Sequence, residues 1–157
     1  MAFDLTSLVR ENIRTLRPYS SARDEFSGSA KVFLDANENP VETGLNRYPD
    51  PHQKELKQKL AEIKEVNAEQ IFVGNGSDEA IDLIIRAFCE PGRDRVAQLA
   101  PTYGMYRVCA DIQGVPMHNI PMSPGFDLDA DDALQLLQER TKVMFLCSPN
   151  NPTGNSF

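Results

Sequence analysis

An α/β fold with a mostly parallel sheet and flanking helices is what this chain predicts, on three observations. From Asp50 onward, short apolar runs alternate with helical stretches of about 10–13 residues, the rhythm of βα units. The apolar run Val143-Met144-Phe145-Leu146-Cys147 reads as a buried strand, and a parallel sheet buries both its faces. Gly and Pro punctuate the joins at Gly74-Asn75-Gly76, Pro91-Gly92 and Gly114. A chain of 157 residues, 41% apolar and 25% charged, is long enough to bury a core.

Taken in order, Leu5, Leu8, Val9 and Ile13 sit at helical spacing, which predicts a short amphipathic helix over residues 5–15. Arg17-Pro18-Tyr19 ends it, and the Ser/Gly-rich residues 20–30 read as an extended arm. Lys31-Val32-Phe33-Leu34 reads as a short strand that leads into Asp35-Ala36-Asn37-Glu38-Asn39-Pro40. Residues 40–50 are a loop carrying Asn46-Arg47-Tyr48-Pro49.

Asp50, with Pro51 after it, suits the start of a helix whose apolar stripe is Leu56, Leu60 and Ile63, stopping near Asn67. Ile71-Phe72-Val73 reads as a buried strand, and Ser77 as the cap of a helix running to about Cys89. A strand over residues 96–99 is followed by a helix over 102–112, with Gly114 suited to its C′ position. Residues 115–120 read as a strand carrying Pro116 with Pro121 just after it, and so as an edge strand or a short one. Asp129 opens a last helix through Leu134 and Leu137 before the strand at Val143.

Net charge is −7, which argues against nucleic-acid or anionic-membrane partners. No apolar run is long enough to span a bilayer, and residues 1–15 lack the apolar core of a secretory signal. Cys89, Cys109 and Cys147 are odd in number and lie within apolar patterns, as free thiols in a reducing cytoplasm do. His52 and His118 have no Cys or His at metal-ligand spacing, so no metal site is expected.

Three joins carry chemistry. Gly74-Asn75-Gly76-Ser77-Asp78-Glu79 lets a ligand approach the backbone and offers the unpaired N–H groups of a helix start to an anion. The same residues also make an ordinary capped helix. Asp78 and Glu79 suit the helix dipole but oppose a phosphate if they face it, so a phosphate there must be held by main chain. Pro101-Thr102-Tyr103-Gly104-Met105-Tyr106 places an aromatic after the next strand, either to stack on a flat heterocycle or as a plain packed ring. Ser148-Pro149-Asn150-Asn151-Pro152-Thr153-Gly154 ends a strand in a stiff turn and presents asparagines where α/β sheets bind ligands, though turn chemistry alone also explains it. Together the three describe a site for a flat ring bearing a phosphate and a hydrogen-bonding substituent, which pyridoxal 5′-phosphate matches.

On these motifs, and on Arg17-Pro18-Tyr19, residues 34–40, Asn46-Arg47-Tyr48-Pro49 and the run Leu83-Ile84-Ile85-Arg86-Ala87-Phe88, the chain resembles the amino-terminal half of the histidinol-phosphate aminotransferase family, fold-type I pyridoxal-phosphate enzymes. The resemblance covers nearly the whole chain. It implies an arm and small-domain segment over residues 1–45 and the first part of the cofactor domain over 46–157. It implies that Gly76, Ser77 and Asp78 give backbone N–H groups to the cofactor phosphate. Tyr103 would stack on the ring, and Asn151 would bond its phenolic oxygen. Tyr48 would reach the phosphate in the neighbouring subunit of a homodimer, with Tyr19 and Asn37 on the substrate side. The implied substrates are histidinol phosphate and 2-oxoglutarate or glutamate, in a cytoplasmic histidine-biosynthetic enzyme.

The family's Schiff-base lysine lies beyond the Asn-Pro-Thr-Gly turn, and none of Lys31, Lys54, Lys57, Lys59, Lys64 or Lys142 occupies its context. No catalytic residue is therefore assigned, and the chain alone is expected to be inactive. A threonine-phosphate decarboxylase of the same fold and a non-catalytic truncated chain are the alternatives.

Overall fold

The structure, a computed structural model, describes residues 4–20, 26, 28 and 30–157. The chain divides into two units, one of Met1–Thr15 with Gly74–Phe157 and the other of Leu16–Val73. The boundary expected at 45/46 falls inside the second. The arm expected over 20–30 lies largely outside the described residues.

In the first unit, a 3₁₀ turn over Leu5–Leu8 precedes helix α1 (Glu11–Arg14). The continuous helix expected over 5–15 is thus broken. Val9 and Arg10 adopt extended or near-extended ψ values of 138° and 140°, because Arg10 bonds elsewhere. Its N–H donates to Ala87 O at 2.9 Å and its Nη1 to Arg86 O at 2.9 Å. Its Nε and Nη2 fork onto Glu90 at 2.9 and 3.2 Å. Long-range satisfaction of one arginine overrides the local helical pattern.

The sheet follows the expected alternation. Helix α3 (Gly76–Phe88) leads to β1 (Arg95–Ala100), then α4 (Met105–Ile112), β2 (Met117–Pro121), α5 (Ala130–Gln135) and β3 (Thr141–Phe145). The order is β2-β1-β3, with both pairings parallel. The strand bracketed by prolines is an edge, where a missing N–H costs no ladder bond. Gly114 (φ +66°) turns the chain out of α4, and Val115 N–H closes back on Ala110 O at 2.9 Å, as a glycine C′ residue allows. Asp129 accepts from the N–H groups of Asp131 and Asp132 at 3.0 Å each, the expected cap.

Both faces of β1 are covered. On one, Val96 packs with Ile81, Ile85 and Cys89, and with Tyr106, Cys109 and Ala110 of α4. On the other, Ala97 and Leu99 pack with Ile120 and Ala133 of α5. Cys89 and Cys109 are free and buried, and burial pushes the Cys89 thiol up to about 11. At the base of the sheet, buried Asp94 accepts from Arg140 Nη2 at 2.7 Å and from Glu90 N–H at 2.9 Å. No helix among the described residues is long and apolar enough to cross a membrane.

In the second unit, helix α2 covers Lys54–Lys64, with Asp50 accepting from Lys54 N–H at 2.8 Å, and ends at Glu65 in a left-handed conformation. Leu56 and Ile63 of its expected apolar stripe are exposed. Two expected strands are not formed. Among the described residues, Lys31-Val32-Phe33-Leu34 and Ile71-Phe72-Val73 have no ladder partner, and Phe72 is 57% exposed. A short apolar run has strand propensity, but a strand exists only where a neighbour supplies hydrogen bonds.

Candidate functional site

The three chemistry-bearing joins of the first unit meet through side-chain bonds. Tyr103 follows β1, Asn151 follows β3, and these strands are adjacent and parallel, so both lie at strand carboxyl ends. Gly76 follows the unpaired residues 71–73, and α3 reaches the others through its first turn instead. The Tyr103 hydroxyl donates to Asp78 Oδ1 at 3.0 Å, with Oδ2 at 3.3 Å.

The turn after β3 is clamped to the loop after β1 by Asn150, only 3% exposed. Its Nδ2 donates to Pro101 O at 3.0 Å and to Thr153 Oγ1 at 2.8 Å, while its Oδ1 accepts from Thr102 Oγ1 at 2.7 Å. Its own N–H and carbonyl close the turn with Asn155 O at 2.6 Å and Gly154 N–H at 2.7 Å. The two asparagines therefore divide the work. Asn150 is the buried knot, and Asn151 is exposed, its amide outside the bonds that hold the turn.

At the start of α3, Gly76 takes φ +75° with open space where a Cβ would lie, so conformation rather than crowding calls for glycine there. Gly76 N–H donates to Gly74 O at 3.0 Å, whereas no acceptor among the described residues takes the N–H groups of Ser77 or Asp78. These two are the donors the helix start offers to an anion. Ser77 does not cap the helix as expected. The N-cap is Asn75, whose N–H is held by Glu79 Oε2 at 2.5 Å. Both first-turn carboxylates are thus engaged, Glu79 by Asn75 and Asp78 by Tyr103.

The Tyr103 ring meets Tyr106 edge-on at 5.7 Å and 84°, and Tyr106 stacks on Phe145 of β3 at 4.6 Å and 3°. The Asp78 carboxylate, and next partial burial, push the Tyr103 phenol above its ordinary range. Burial, and next the Cys147 sulfur, push the Tyr106 phenol up to about 12. Both stay protonated near neutral pH.

The second unit carries the remaining expected positions, Tyr19, Asn37 and Tyr48, all exposed. Glu38, whose side chain is only 4% exposed, joins two of its motifs. Its carboxylate accepts from Tyr48 N–H at 2.8 Å and from Arg47 Nη1 at 2.8 Å. Asn46 Nδ2 adds a bond to Asn39 O at 3.1 Å. The stretch with Asn37 is thereby zipped to the loop with Tyr48. Thr102 and Glu38 are positioning residues that residue order did not single out, and Asn150 is one of the two asparagines it presented without telling which would be buried. Each is a polar residue one place from a ligand candidate, which was the available signal.

The family model for aminotransferase class I and II matches residues 25–157. The chain belongs to this family. Two histidinol-phosphate aminotransferases are close relatives of this aminotransferase chain. That of Parabacteroides distasonis is 60% identical over 153 residues, covering 98% of this chain and 44% of the relative. That of Bacteroides fragilis is 60% identical over 152 residues, covering 96% and 44%. The chain spans less than half the length of these curated relatives. Among solved structures, histidinol-phosphate aminotransferase from Sinorhizobium meliloti, in complex with pyridoxal-5′-phosphate, matches with a TM-score of 0.61 at 23% identity over 69% of this chain and 29% of that one. That likeness shows the shared fold, of which this aminotransferase chain carries a parallel part.

Proposed function

We propose that the protein carrying this chain is a pyridoxal-phosphate-dependent histidinol-phosphate aminotransferase, which moves an amino group between glutamate and imidazole-acetol phosphate. The observation that carries the reading is the convergence of three joins, made by the Asp78–Tyr103 and Thr102–Asn150 bonds. They associate two uncommitted N–H donors, an aromatic ring and an exposed asparagine, which suits a phosphate, a flat ring and a ring oxygen in turn. Class I and II aminotransferase membership and the 60% identical relatives agree with it.

Pyridoxal phosphate, when bound, supplies the electron sink for amino transfer. The residues of this chain bind and orient. Ser77 and Asp78 N–H groups, at the positive end of α3, would hold the phosphate, with Gly76 shaping the approach. Tyr103 would stack on the pyridine ring. Asn151 would donate its amide N–H to the phenolic oxygen and favour its ionised form. Tyr48, held at its backbone by Glu38 and exposed at its ring, would reach the phosphate of a partner subunit in a cytoplasmic homodimer. Tyr19 and Asn37 would lie on the substrate side.

Turnover of histidinol phosphate with 2-oxoglutarate by the full-length protein tests this reading. Amino transfer that requires added pyridoxal phosphate and drops at least tenfold in Tyr103→Ala supports it. Carbon dioxide release from threonine phosphate without amino transfer would move the protein to the decarboxylase branch. No change in either reaction on adding the cofactor would overturn the reading.

A further inference from the structure

We propose that the Asp78 side chain is a positioning residue: by holding the Tyr103 hydroxyl it sets the pose in which the ring is offered to the cofactor. The inference rests on the pyridoxal-phosphate reading and adds to it a role for a carboxylate that otherwise enters only through its N–H.

The ring has two anchors. It packs perpendicular to Tyr106, which is buried and stacked on Phe145 of β3. Its hydroxyl, the atom farthest from the backbone, donates to Asp78 at 3.0 Å. A tyrosine held by that ring contact alone can still swing about χ1, and a hydrogen bond at the tip removes that freedom. The bond is charge-assisted, of the stronger class. The raised phenol range keeps the donor protonated across neutral and mildly alkaline pH.

The same bond addresses the electrostatics of the helix start. Asp78 lies in the first turn of α3, beside the N–H groups proposed for the phosphate. A carboxylate that carried no donor there would oppose an incoming phosphate. Drawn onto the phenol, it is committed in direction. One interaction thus orders the ring before binding, which spares that cost during association, and restrains a repulsive charge.

The experiment is a double-mutant cycle on the full-length protein, reading pyridoxal-phosphate affinity by titration of the dialysed apoprotein. Asp78→Ala is expected to weaken binding about 5- to 20-fold. Asp78→Asn, which can still accept from the phenol, should recover most of that loss. In a Tyr103→Phe background, Asp78→Ala should add little further loss, since the two residues act as one unit. Difference absorbance against Tyr103→Phe should show the Tyr103 phenol ionising at lower pH in Asp78→Ala than in wild type. Additive losses, no rescue by Asn, or an unmoved phenol titration would each overturn the inference. Tyr103→Ala separates the two levels. If it leaves affinity intact, the stacking reading itself fails, and the positioning role with it. If it weakens affinity while the cycle is additive, only the role given to Asp78 fails.

Discussion

Thr102 donates its hydroxyl to the amide oxygen of Asn150 at 2.7 Å, across 48 residues of sequence. With the Asn150 bonds to Pro101 and Thr153, it locks together the loops that leave two adjacent parallel strands. A buried amide with this many partners is expensive to remove, because its partners are left without water. Asn150→Ala should destabilise the protein by about 1–3 kcal/mol, read as a lowered denaturant midpoint with unchanged slope. An unchanged midpoint would show that the clamp is dispensable.

Asn151→Ala should behave in the opposite way. The residue is exposed, so the denaturant midpoint should barely move. In the full-length protein, pyridoxal-phosphate binding should weaken by roughly 1.5–3 kcal/mol if its amide meets the ionised phenolic oxygen. Equal effects of the two asparagine variants on both stability and affinity would contradict the division between knot and ligand.

Much of this was legible from residue order. The strands at 95–100, 117–121 and 141–145 were visible because apolar runs end at Gly or Pro, and Asp129 and Gly114 did what cap chemistry says they do. Ile71-Phe72-Val73 was misread because its composition matches a strand, while pairing depends on a neighbour that composition does not reveal. Val9-Arg10 broke a helix because Arg10 meets Glu90, 80 residues away. In the site, the sequence placed an aromatic and two asparagines after strands, but it could not say which asparagine would be buried. Burial is decided by Thr102 and Pro101, which come near only once the sheet forms.

The Arg10 fork is open to direct test. Its side chain is 15% exposed and makes paired bonds to Glu90 plus one to the Arg86 carbonyl. Arg10→Ala should cost about 1.5–3 kcal/mol. Hydrogen exchange should accelerate at residues 9–15 more than in the sheet. Uniform acceleration would show that the segment is not held by this residue.

Acid stability should report on Asp94. Burial pushes its carboxyl up, but the Glu90 N–H and the Arg140 guanidinium outweigh that and hold it below the ordinary 3.8. A group depressed in the folded state contributes stability above its unfolded value and loses it as pH falls through the folded value. Wild type should therefore lose this contribution progressively below about pH 4. Arg140→Ala, whose side chain is 44% exposed, should cost about 1–2 kcal/mol at neutral pH and shrink the acid-dependent loss. An identical acid limb in wild type and Arg140→Ala would refute the assignment.

The most direct test of the central claim is a crystal structure of the full-length protein grown with pyridoxal phosphate. The expected result places phosphate oxygens within hydrogen-bond distance of the Ser77 and Asp78 N–H groups, the pyridine ring against Tyr103 and the phenolic oxygen on the Asn151 amide. A cofactor bound elsewhere on the protein, or a phosphate held with Ser77 and Asp78 N–H groups turned away from it, would contradict the claim.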